Sequence, residues 1–441
     1  MKLTLDVENT VTKRDGKMHL DPFEPENTLV MVGMLTDTGR KLIVTFDHND
    51  TEPDLFGREM VQDYLDKATV LIMHNAAHDL LWLWESGFVY NGPVFDTMLA
   101  EYVLQRGIKE ALSLEACAER YELYTKKQDT LKEYFKQGYS TRDIPYDELC
   151  EYLSADLHAT QQLSDKLIYR LNTEADAGLR GTVDLTNQVA VCLARIYRRG
   201  LTVDMDALED VRVKFQEEKD NLIYNLTGQV RELMGDTPIN LNSPEQLSWV
   251  VYSRKPKNKT VWANAIHPYM KDKDFKDVVK TETEVVYKTS AVKCRTCNGN
   301  GFIRKTKKNG DPYNKPNKCV DCAASGFLYQ RTKQVAGLKF TAPNAKWASA
   351  NGFSTSKGNL SILKGIATQN DMRVARDFLN DVSRLSALDT YLSSFVDGIK
   401  THTKYDGKLH VRLLQHRTAT GRFSGADPNM QNMPRGGTFP V

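Results

Sequence analysis

The chain has 441 residues, of which 41% are hydrophobic and 26% charged, and its formal net charge is +2. This length and apolar content are sufficient for two or three domains with buried cores. No stretch approaches 18 uninterrupted apolar residues, and Met1-Lys2 leads directly into a predicted strand, so we expect neither a membrane span nor a leader peptide. We therefore expect a soluble, cytoplasmic protein in which any attraction to nucleic acid comes from local patches of charge.

The first predicted element is a strand from Lys2 to Val7, in which apolar and polar residues alternate. Asp6 and Glu8 therefore project to one face. Two neighbouring carboxylates at the start of a sheet are costly unless a cation neutralises them, and Mg²⁺ is a common solution. Two solvated surface carboxylates would have the same pattern.

A second strand is predicted from Thr69 to Met73, followed by a helix that begins near Asp79. Asp79 could serve a metal site or could simply favour the positive end of the helix dipole. Asn75, just ahead of it, could be only a helix cap.

A helix is predicted from Asp147 to Leu163, and it places Tyr152 and Asp156 four residues apart on one face. A phenol and a carboxylate in this arrangement could be an ordinary surface pair. They could also act on one water molecule.

Together the segments Asp6-x-Glu8, Asn75-x3-Asp79 and Tyr152-x3-Asp156 resemble the proofreading 3′–5′ exonucleases of the DEDD superfamily, in the branch with a tyrosine. The resemblance implies an α/β domain of the ribonuclease H-like type that acts on single-stranded 3′ ends. It implies that two Mg²⁺ or Mn²⁺ ions are held by the four carboxylates of Asp6, Glu8, Asp79 and Asp156. Tyr152 would position the attacking water.

Beyond this region the pattern becomes helical, and two long helices between about 180 and 233 are predicted to pair as an antiparallel thumb. Ser243 and Pro244 form a helix start, with Ser243 as the N-cap and Pro244 at the first helical position. The sequence around this helix start resembles the thumb of family A DNA polymerases. So does the segment Arg199-Gly200-Leu201-Thr202-Val203-Asp204.

Four of the seven cysteines form two C-x2-C pairs, Cys294 with Cys297 and Cys319 with Cys322. This spacing in a cytoplasmic protein predicts a structural Cys₄ Zn²⁺ site, with disulfides or redox dithiols as alternatives. The other three, Cys117, Cys150 and Cys192, are expected to be buried and reduced. Lysine runs near Arg254, Arg304 and Lys315 surround the pairs. These runs are either solvated loops or groups that neutralise phosphates.

Residues 416 to 434 form the last informative segment of the sequence. Taken alone, this segment would be interpreted as an exposed loop. They resemble the family A segment T-x-T-G-R-L-S-S-x-x-P-N-L-Q-N-I-P and depart from it only at four positions, Phe423, Gly425, Met430 and Met433. By this resemblance the segment contacts primer–template DNA through the side chains of Thr420, Arg422, Asn429 and Gln431, with Asn75 contributing in the exonuclease. An arginine in the minor groove checks base-pair geometry without reading sequence.

The resemblance divides the chain into five parts. These are an exonuclease domain (1–178), a first thumb part (179–253), a lysine-rich zinc insertion (254–340), a second thumb part (341–400) and the first edge of a palm (401–441). The palm and fingers motifs of a polymerase do not follow residue 434. We therefore expect the amino-terminal portion of a family A polymerase. It is either a fragment of a longer chain or a natural polypeptide whose palm and fingers come from a second polypeptide, as in a split bacteriophage enzyme in the host cytoplasm. A processivity partner could bind the insertion.

Two other functions compete with a proofreading exonuclease. The chain could be a DNA-binding or assembly subunit whose nuclease activity has decayed. It could also be a nuclease of the same superfamily that trims RNA, although such an enzyme has no need of a thumb or of residues 416–434.

Overall fold

The structure, a computed structural model, describes residues 1–14, 17–123, 130–304 and 315–433. Three lysines of the predicted lysine-rich run, Lys305, Lys307 and Lys308, lie outside the described residues, as do residues 434–441 at the end of the predicted palm segment. Within the described part, no helix is both long enough and apolar enough to cross a membrane.

The elements of the first half, in chain order, are β1 (Lys2–Asn9), β2 (Thr12–Arg14), β3 (Lys17–His19), β4 (Leu29–Thr36), β5 (Lys41–Thr45), α1 (Gly57–Lys67), β6 (Val70–Met73), α2 (Ala76–Glu85), β7 (Val94–Asp96), α3 (Thr97–Leu104), α4 (Leu114–Arg120), α5 (Thr130–Gln137), α6 (Tyr146–Arg170), α7 (Arg180–Arg199), β8 (Leu201–Thr202) and α8 (Met205–Met234).

The elements of the second half are α9 (Pro244–Tyr252), β9 (Arg254–Pro256), α10 (Lys259–Ala265), α11 (Asp272–Glu282), β10 (Thr283–Val285), β11 (Tyr287–Lys293), β12 (Phe302–Ile303), β13 (Asn317–Lys318), β14 (Phe327–Val335), β15 (Ala348–Ser349), β16 (Gly352–Phe353), α12 (Lys357–Gln369), α13 (Arg373–Thr390), a π-helix (Tyr391–Val396), α14 (Asp397–His402), β17 (Lys408–Leu409), β18 (Arg412–Leu414) and β19 (Ser424–Ala426).

The chain forms two compact units, residues 1–208 with 395–441, and residues 209–394. The first contains the predicted exonuclease segment and the predicted edge of the palm. The second contains most of the predicted thumb and the whole insertion.

The first unit is built on a five-stranded mixed sheet with the order β5-β4-β1-β6-β7. β1 is antiparallel to β4 and parallel to β6, and β6 is parallel to β7. Every residue of β4 is buried, because it lies inside the sheet with both faces covered. The core on one face joins β1 and β4 to helices α1 and α2, and it includes Leu3, Leu5 and Val7.

The second unit has a helical core made by the end of α8 with α9, α12 and α13. Trp262, Phe275 and Phe378 are its largest fully buried side chains. The predicted helix start is confirmed, because the Ser243 side chain accepts a hydrogen bond from the Gln246 N–H and Pro244 is the first helical residue.

Several sequence predictions differ from the structure in detail. The predicted pairing of the two long helices as a thumb is wrong for the first of them, because α7 packs against α2 and α3 of the first unit. Its residues Val191 and Ala194 pack into the apolar core of that unit instead. Of the three single cysteines only Cys117 is buried, whereas Cys150 is half-buried and Cys192 is exposed.

Candidate active site and associated metal and DNA sites

Strand β1 presents Asp6 and Glu8 on the face that α6 covers. Asp6 lies opposite Gly33 of β4, and Glu8 lies opposite Met31. Directly opposed residues of an antiparallel pair project to the same face. A Cβ added at Gly33 would lie 2.8 Å from the Leu153 Cγ of α6. Asp6 therefore projects toward the helix that carries the other half of the motif.

Helix α6 brings Tyr152 and Asp156 to this face. Each immediately precedes one of the two leucines, Leu153 and Leu157, that contact Gly33. Tyr152 also packs against a small core that contains Met31, the partner of Glu8. Two segments that are about 145 residues apart in sequence thus meet because a glycine in β4 allows close packing of the helix.

Asp79 lies on helix α2, which packs on the other face of the sheet from α6. β6 runs parallel to β1, so that α2, which follows β6, begins near the carboxyl end of β1. Asp79 lies in the first turn of α2, and only 2% of it is exposed.

Three of the predicted carboxylates, Asp6, Glu8 and Asp79, lie close enough to interact electrostatically. Burial, together with the nearby charges of Asp6 and Asp96, raises the pKa of Asp79 well above its usual range, and Glu8 adds to the effect. The nearby Val7 N–H, which donates to the Asp6 Oδ1 at 3.1 Å, partly opposes this rise in the pKa of Asp79. Buried carboxylates that repel one another in this way are the pattern of a site that a divalent cation would neutralise.

Asp96 is a buried carboxylate that the motif search missed. Its oxygens accept hydrogen bonds from the N–H groups of Asn75 (3.2 Å), Ala76 (2.9 Å) and Leu99 (3.2 Å). One side chain therefore caps both α2 and α3. Burial raises its pKa to about 6. The available sequence signal was an aspartate at the junction of a short strand and a helix, directly before Thr97.

Asn75 occupies the N-cap position of α2, but its side chain makes no capping hydrogen bond. Asp96 supplies the cap instead, and the Asn75 backbone is left-handed, with φ of 74°. The alternative that Asn75 serves only as a side-chain cap is therefore wrong. Asn75 lines a cavity of about 370 Å³ together with His78, Arg412 and Asp427.

His78, which lines this cavity, is uncharged at neutral pH. Burial, with a smaller contribution from the nearby charge of Arg412, lowers the pKa of His78 to about 4. The imidazole Nε2 lies 2.9 Å from the Asn9 Oδ1, at the end of β1. The Asn9 amide donates to the carbonyl of Thr10, so its oxygen faces His78 and the imidazole donates. This contact ties α2 to the strand that carries Asp6.

The segment predicted to contact DNA forms a hairpin between β18 and β19. The four predicted contact residues, Thr420, Arg422, Asn429 and Gln431, are all exposed. Two hydrogen bonds of 2.7 Å stabilise the loop of this hairpin. The Tyr102 hydroxyl of α3 donates to the Thr418 carbonyl, and the Thr418 hydroxyl donates to the Arg422 carbonyl.

Gly425, which replaces a serine of the family pattern, has a structural explanation. A Cβ at this position would lie 2.5 Å from the Asn429 Oδ1. The same oxygen accepts the Gln431 N–H at the start of a short 3₁₀ turn. The glycine therefore allows Asn429 to fold back and cap that turn.

In the second unit the four paired cysteines converge. All are buried, and their sulfurs lie within 4.8 Å of one another. Cys294 and Cys319 are 3.8 Å apart, and Cys297 and Cys322 are 3.6 Å apart. A tetrahedral Zn²⁺ site with bonds of ~2.3 Å has sulfurs about 3.8 Å apart, so this cluster fits zinc. The N–H groups of Gly301 and Gly326 donate to two of the sulfurs, as second-layer groups do in zinc sites.

Comparison with known proteins agrees with this geometry. Residues 18–172 match a family model described as the 3′–5′ exonuclease of DNA polymerase A. The matched range includes Asn75, Asp79, Tyr152 and Asp156, and it begins after Asp6 and Glu8.

Longer alignments join the chain to DNA polymerase I. It is 23% identical to that of Bacillus subtilis over 385 residues, which cover 87% of this chain and 31% of the relative. It is 22% identical to that of Streptococcus pneumoniae over 430 residues, which cover 97% of this chain and 36% of the relative. The chain thus spans about a third of the length of these relatives.

A solved structure titled as the POL domain of Pol1 from M. smegmatis in complex with DNA primer-template and dNTP has the same fold. Its TM-score is 0.57 at 16% identity, and the match covers 99% of this chain and 53% of that one. Because the match covers nearly the whole chain, the helical second unit is also polymerase-like in fold. Residues 18–172 are thus similar to the 3′–5′ exonuclease of the DNA polymerase A family, and most of the chain is similar to about a third of the DNA polymerase I of two bacteria.

Proposed function

We propose that this chain is a Mg²⁺-dependent 3′–5′ exodeoxyribonuclease that removes mispaired nucleotides from the 3′ end of a growing DNA strand. The observation that carries the proposal is the buried Asp79, whose pKa is raised by burial and by the charges of Asp6 and Asp96. A protein maintains such repulsion where a cation offsets it.

In this proposal Asp6, Glu8, Asp79 and Asp156 hold two Mg²⁺ or Mn²⁺ ions. The ions would supply an activated water and would stabilise the charge on the attacking and leaving oxygens. Tyr152 orients that water through its hydroxyl, and its position beside Leu153 holds the ring against the sheet. Asn75 faces the cavity next to the site and contacts the terminal nucleotide.

The proposed substrate is DNA with a single-stranded 3′ end, delivered from a primer–template duplex. Thr420, Arg422, Asn429 and Gln431 are exposed on the described hairpin and its following turn, where they can reach a duplex backbone and minor groove. Zn²⁺ would act only structurally, because four thiolates leave no open coordination position. Polymerisation by palm and fingers, on this or on a second polypeptide, would use the same primer terminus.

The test is release of mononucleotides from a 5′-labelled single-stranded DNA in the presence of Mg²⁺. We expect Asp6→Ala and Asp79→Ala to lower the rate by about 10³-fold, since each removes several kcal/mol of charge stabilisation. Asp184→Asn is a matched control, because this exposed aspartate of α7 lies outside the proposed site.

Equal degradation by wild type and Asp6→Ala would contradict the proposed site. Tight binding of primer–template DNA without any cleavage would favour the non-enzymatic assembly subunit. Faster cleavage of an RNA oligonucleotide of the same sequence would favour the RNA-trimming alternative.

A further inference from the structure

The four clustered cysteines lie in two copies of one short sequence pattern that begin 25 residues apart. Each copy reads Lys-Cys-x2-Cys-x3-Gly-Phe, first from Lys293 to Phe302 and then from Lys318 to Phe327. The backbone repeats as well. The Cys294 N–H donates to the Gly326 carbonyl, and the Cys319 N–H donates to the Gly301 carbonyl, both at 2.9 Å. The two copies are thus related by an approximate twofold axis through the cysteine cluster.

This symmetry pairs the phenylalanine of each copy with the lysine of the other. Phe302 lies directly opposite Lys318 in the β12–β13 pair, and Phe327 lies opposite Lys293 in the β11–β14 pair. Opposed residues share a face of the strand pair, so each phenylalanine projects from the same face as its opposed lysine. Both phenylalanines are exposed, at 45% and 39%, and both lysines are exposed.

The surroundings are strongly basic. Between Lys288 and Lys333, the described residues include eight lysines and arginines and a single carboxylate, Asp321, whereas the whole chain has a net charge of only +2. Asp321 accepts a hydrogen bond from the Thr296 hydroxyl. We name residues 287–304 and 315–335 the zinc module.

From these observations we propose that the zinc module binds single-stranded nucleic acid without sequence preference. Phe302 and Phe327 stack on bases, and Lys293 and Lys318 neutralise the adjacent phosphates. Aromatic rings interleaved with cations are the pattern of single-strand binding surfaces, since every base offers a face for stacking.

Two other partners fit the surface less well. The centre of a protein–protein interface is depleted in charged residues, and lysine in particular is rare there, whereas here a lysine adjoins each exposed ring. A regular duplex keeps its bases stacked on one another, so it leaves the two phenylalanines without a role.

The test uses the intact chain and a covalently closed single-stranded DNA circle of about 40 nucleotides, several times a typical site of ~4–16. A circle has no 3′ end, so the exonuclease neither degrades it nor holds a terminus. The result is therefore independent of the proposed exonuclease function. Affinity is measured by fluorescence anisotropy over a series of salt concentrations, and zinc content is measured on each variant to show that the module is folded.

We expect Phe302→Ala with Phe327→Ala to weaken binding at least about tenfold, since each stacked base contributes about 5- to 150-fold. Lys293→Ser with Lys318→Ser should reduce the slope of log K against log salt by about 1.4, at ~0.7 per phosphate. Phe→Tyr and Lys→Arg substitutions at the same positions should retain affinity. Val320→Ser, at a 90% exposed position of the module, and Lys273→Ser, on α11, are the matched controls.

Unchanged affinity of the double phenylalanine variant, with zinc retained, would overturn the proposal. So would a loss that affects a closed duplex circle as strongly as the single-stranded one, because that outcome would identify the module as a backbone-binding duplex clamp.

Discussion

The exonuclease site and the zinc module hold polar groups together in different ways. The exonuclease residues come from β1, α2 and α6, and a large apolar core fixes those elements before any metal binds. In the zinc module, the buried cluster consists of the four cysteines with the half-buried Ile303 packed against them. We expect the first region to fold without its metal, because its apolar core is large enough to order it. We expect the second region to fold only when its metal binds.

Removal of zinc tests this difference most strongly. Cys319→Ser should abolish Zn²⁺ binding, and structural zinc contributes about 10–16 kcal/mol of apparent folding free energy in small modules. We expect rapid proteolytic cleavage within the module, measured by mass spectrometry of limited digests. Exonuclease activity on a short single strand should persist. Loss of activity together with the module would show that the two regions do not fold independently.

Asp96→Ala should give the next largest effect. It removes the acceptor shared by the N–H groups of Asn75, Ala76 and Leu99, and each lost cap costs about 1 kcal/mol, so we expect roughly 2–3 kcal/mol of lost stability. Chemical denaturation measures this loss. Asp96→Asn, which retains one acceptor oxygen, should fall between wild type and the alanine variant. An unchanged midpoint for Asp96→Ala would contradict the capping role.

Gly33→Ala should damage the exonuclease site through packing alone. Its new methyl group would lie 2.8 Å from Leu153 and 2.9 Å from Leu157, and overpacking of this kind costs about 1–3 kcal/mol. The new methyl group would push α6 away from β4. Because α6 also carries Tyr152 and Asp156, the exonuclease rate should fall as well.

The control for this change is Gly181→Ala in α7, where an added Cβ has no neighbour within 4 Å. That variant should be slightly more stable than wild type, by about 0.5–1 kcal/mol. If both glycine variants retain full activity, the close approach of α6 to β4 does not position the site.

The smallest expected effect is a pH dependence of the melting temperature without divalent cations. The folded state holds protons on Asp79 and Asp96 that the unfolded chain releases near pH 4, because burial raises both pKa values, that of Asp96 to about 6. Stability should therefore be highest at low pH and should fall as the pH rises from about 4 through 6 and beyond.

Mg²⁺ should reverse this decline at pH 8, and Asp79→Asn should weaken the decline. Both effects are measured by calorimetry on metal-free protein and on the same protein after addition of Mg²⁺. A melting temperature that rises with pH in the metal-free protein would show that the carboxylates are stabilised by other groups.

The sequence by itself identified the residues of both proposed sites. The motif residues, the cysteine spacing and the Ser243-Pro244 helix start were all readable, because each depends on residue types at short fixed separations. The same holds for β1, whose alternation directed Asp6 and Glu8 to one face.

The tertiary structure alone decided how distant segments meet. It assigned the capping of α2 to Asp96 instead of Asn75, and it placed α7 on the exonuclease domain instead of in a thumb. It also paired each phenylalanine of the zinc module with the lysine of the other repeat. These features depend on contacts between residues far apart in sequence, which local periodicity and propensity do not encode.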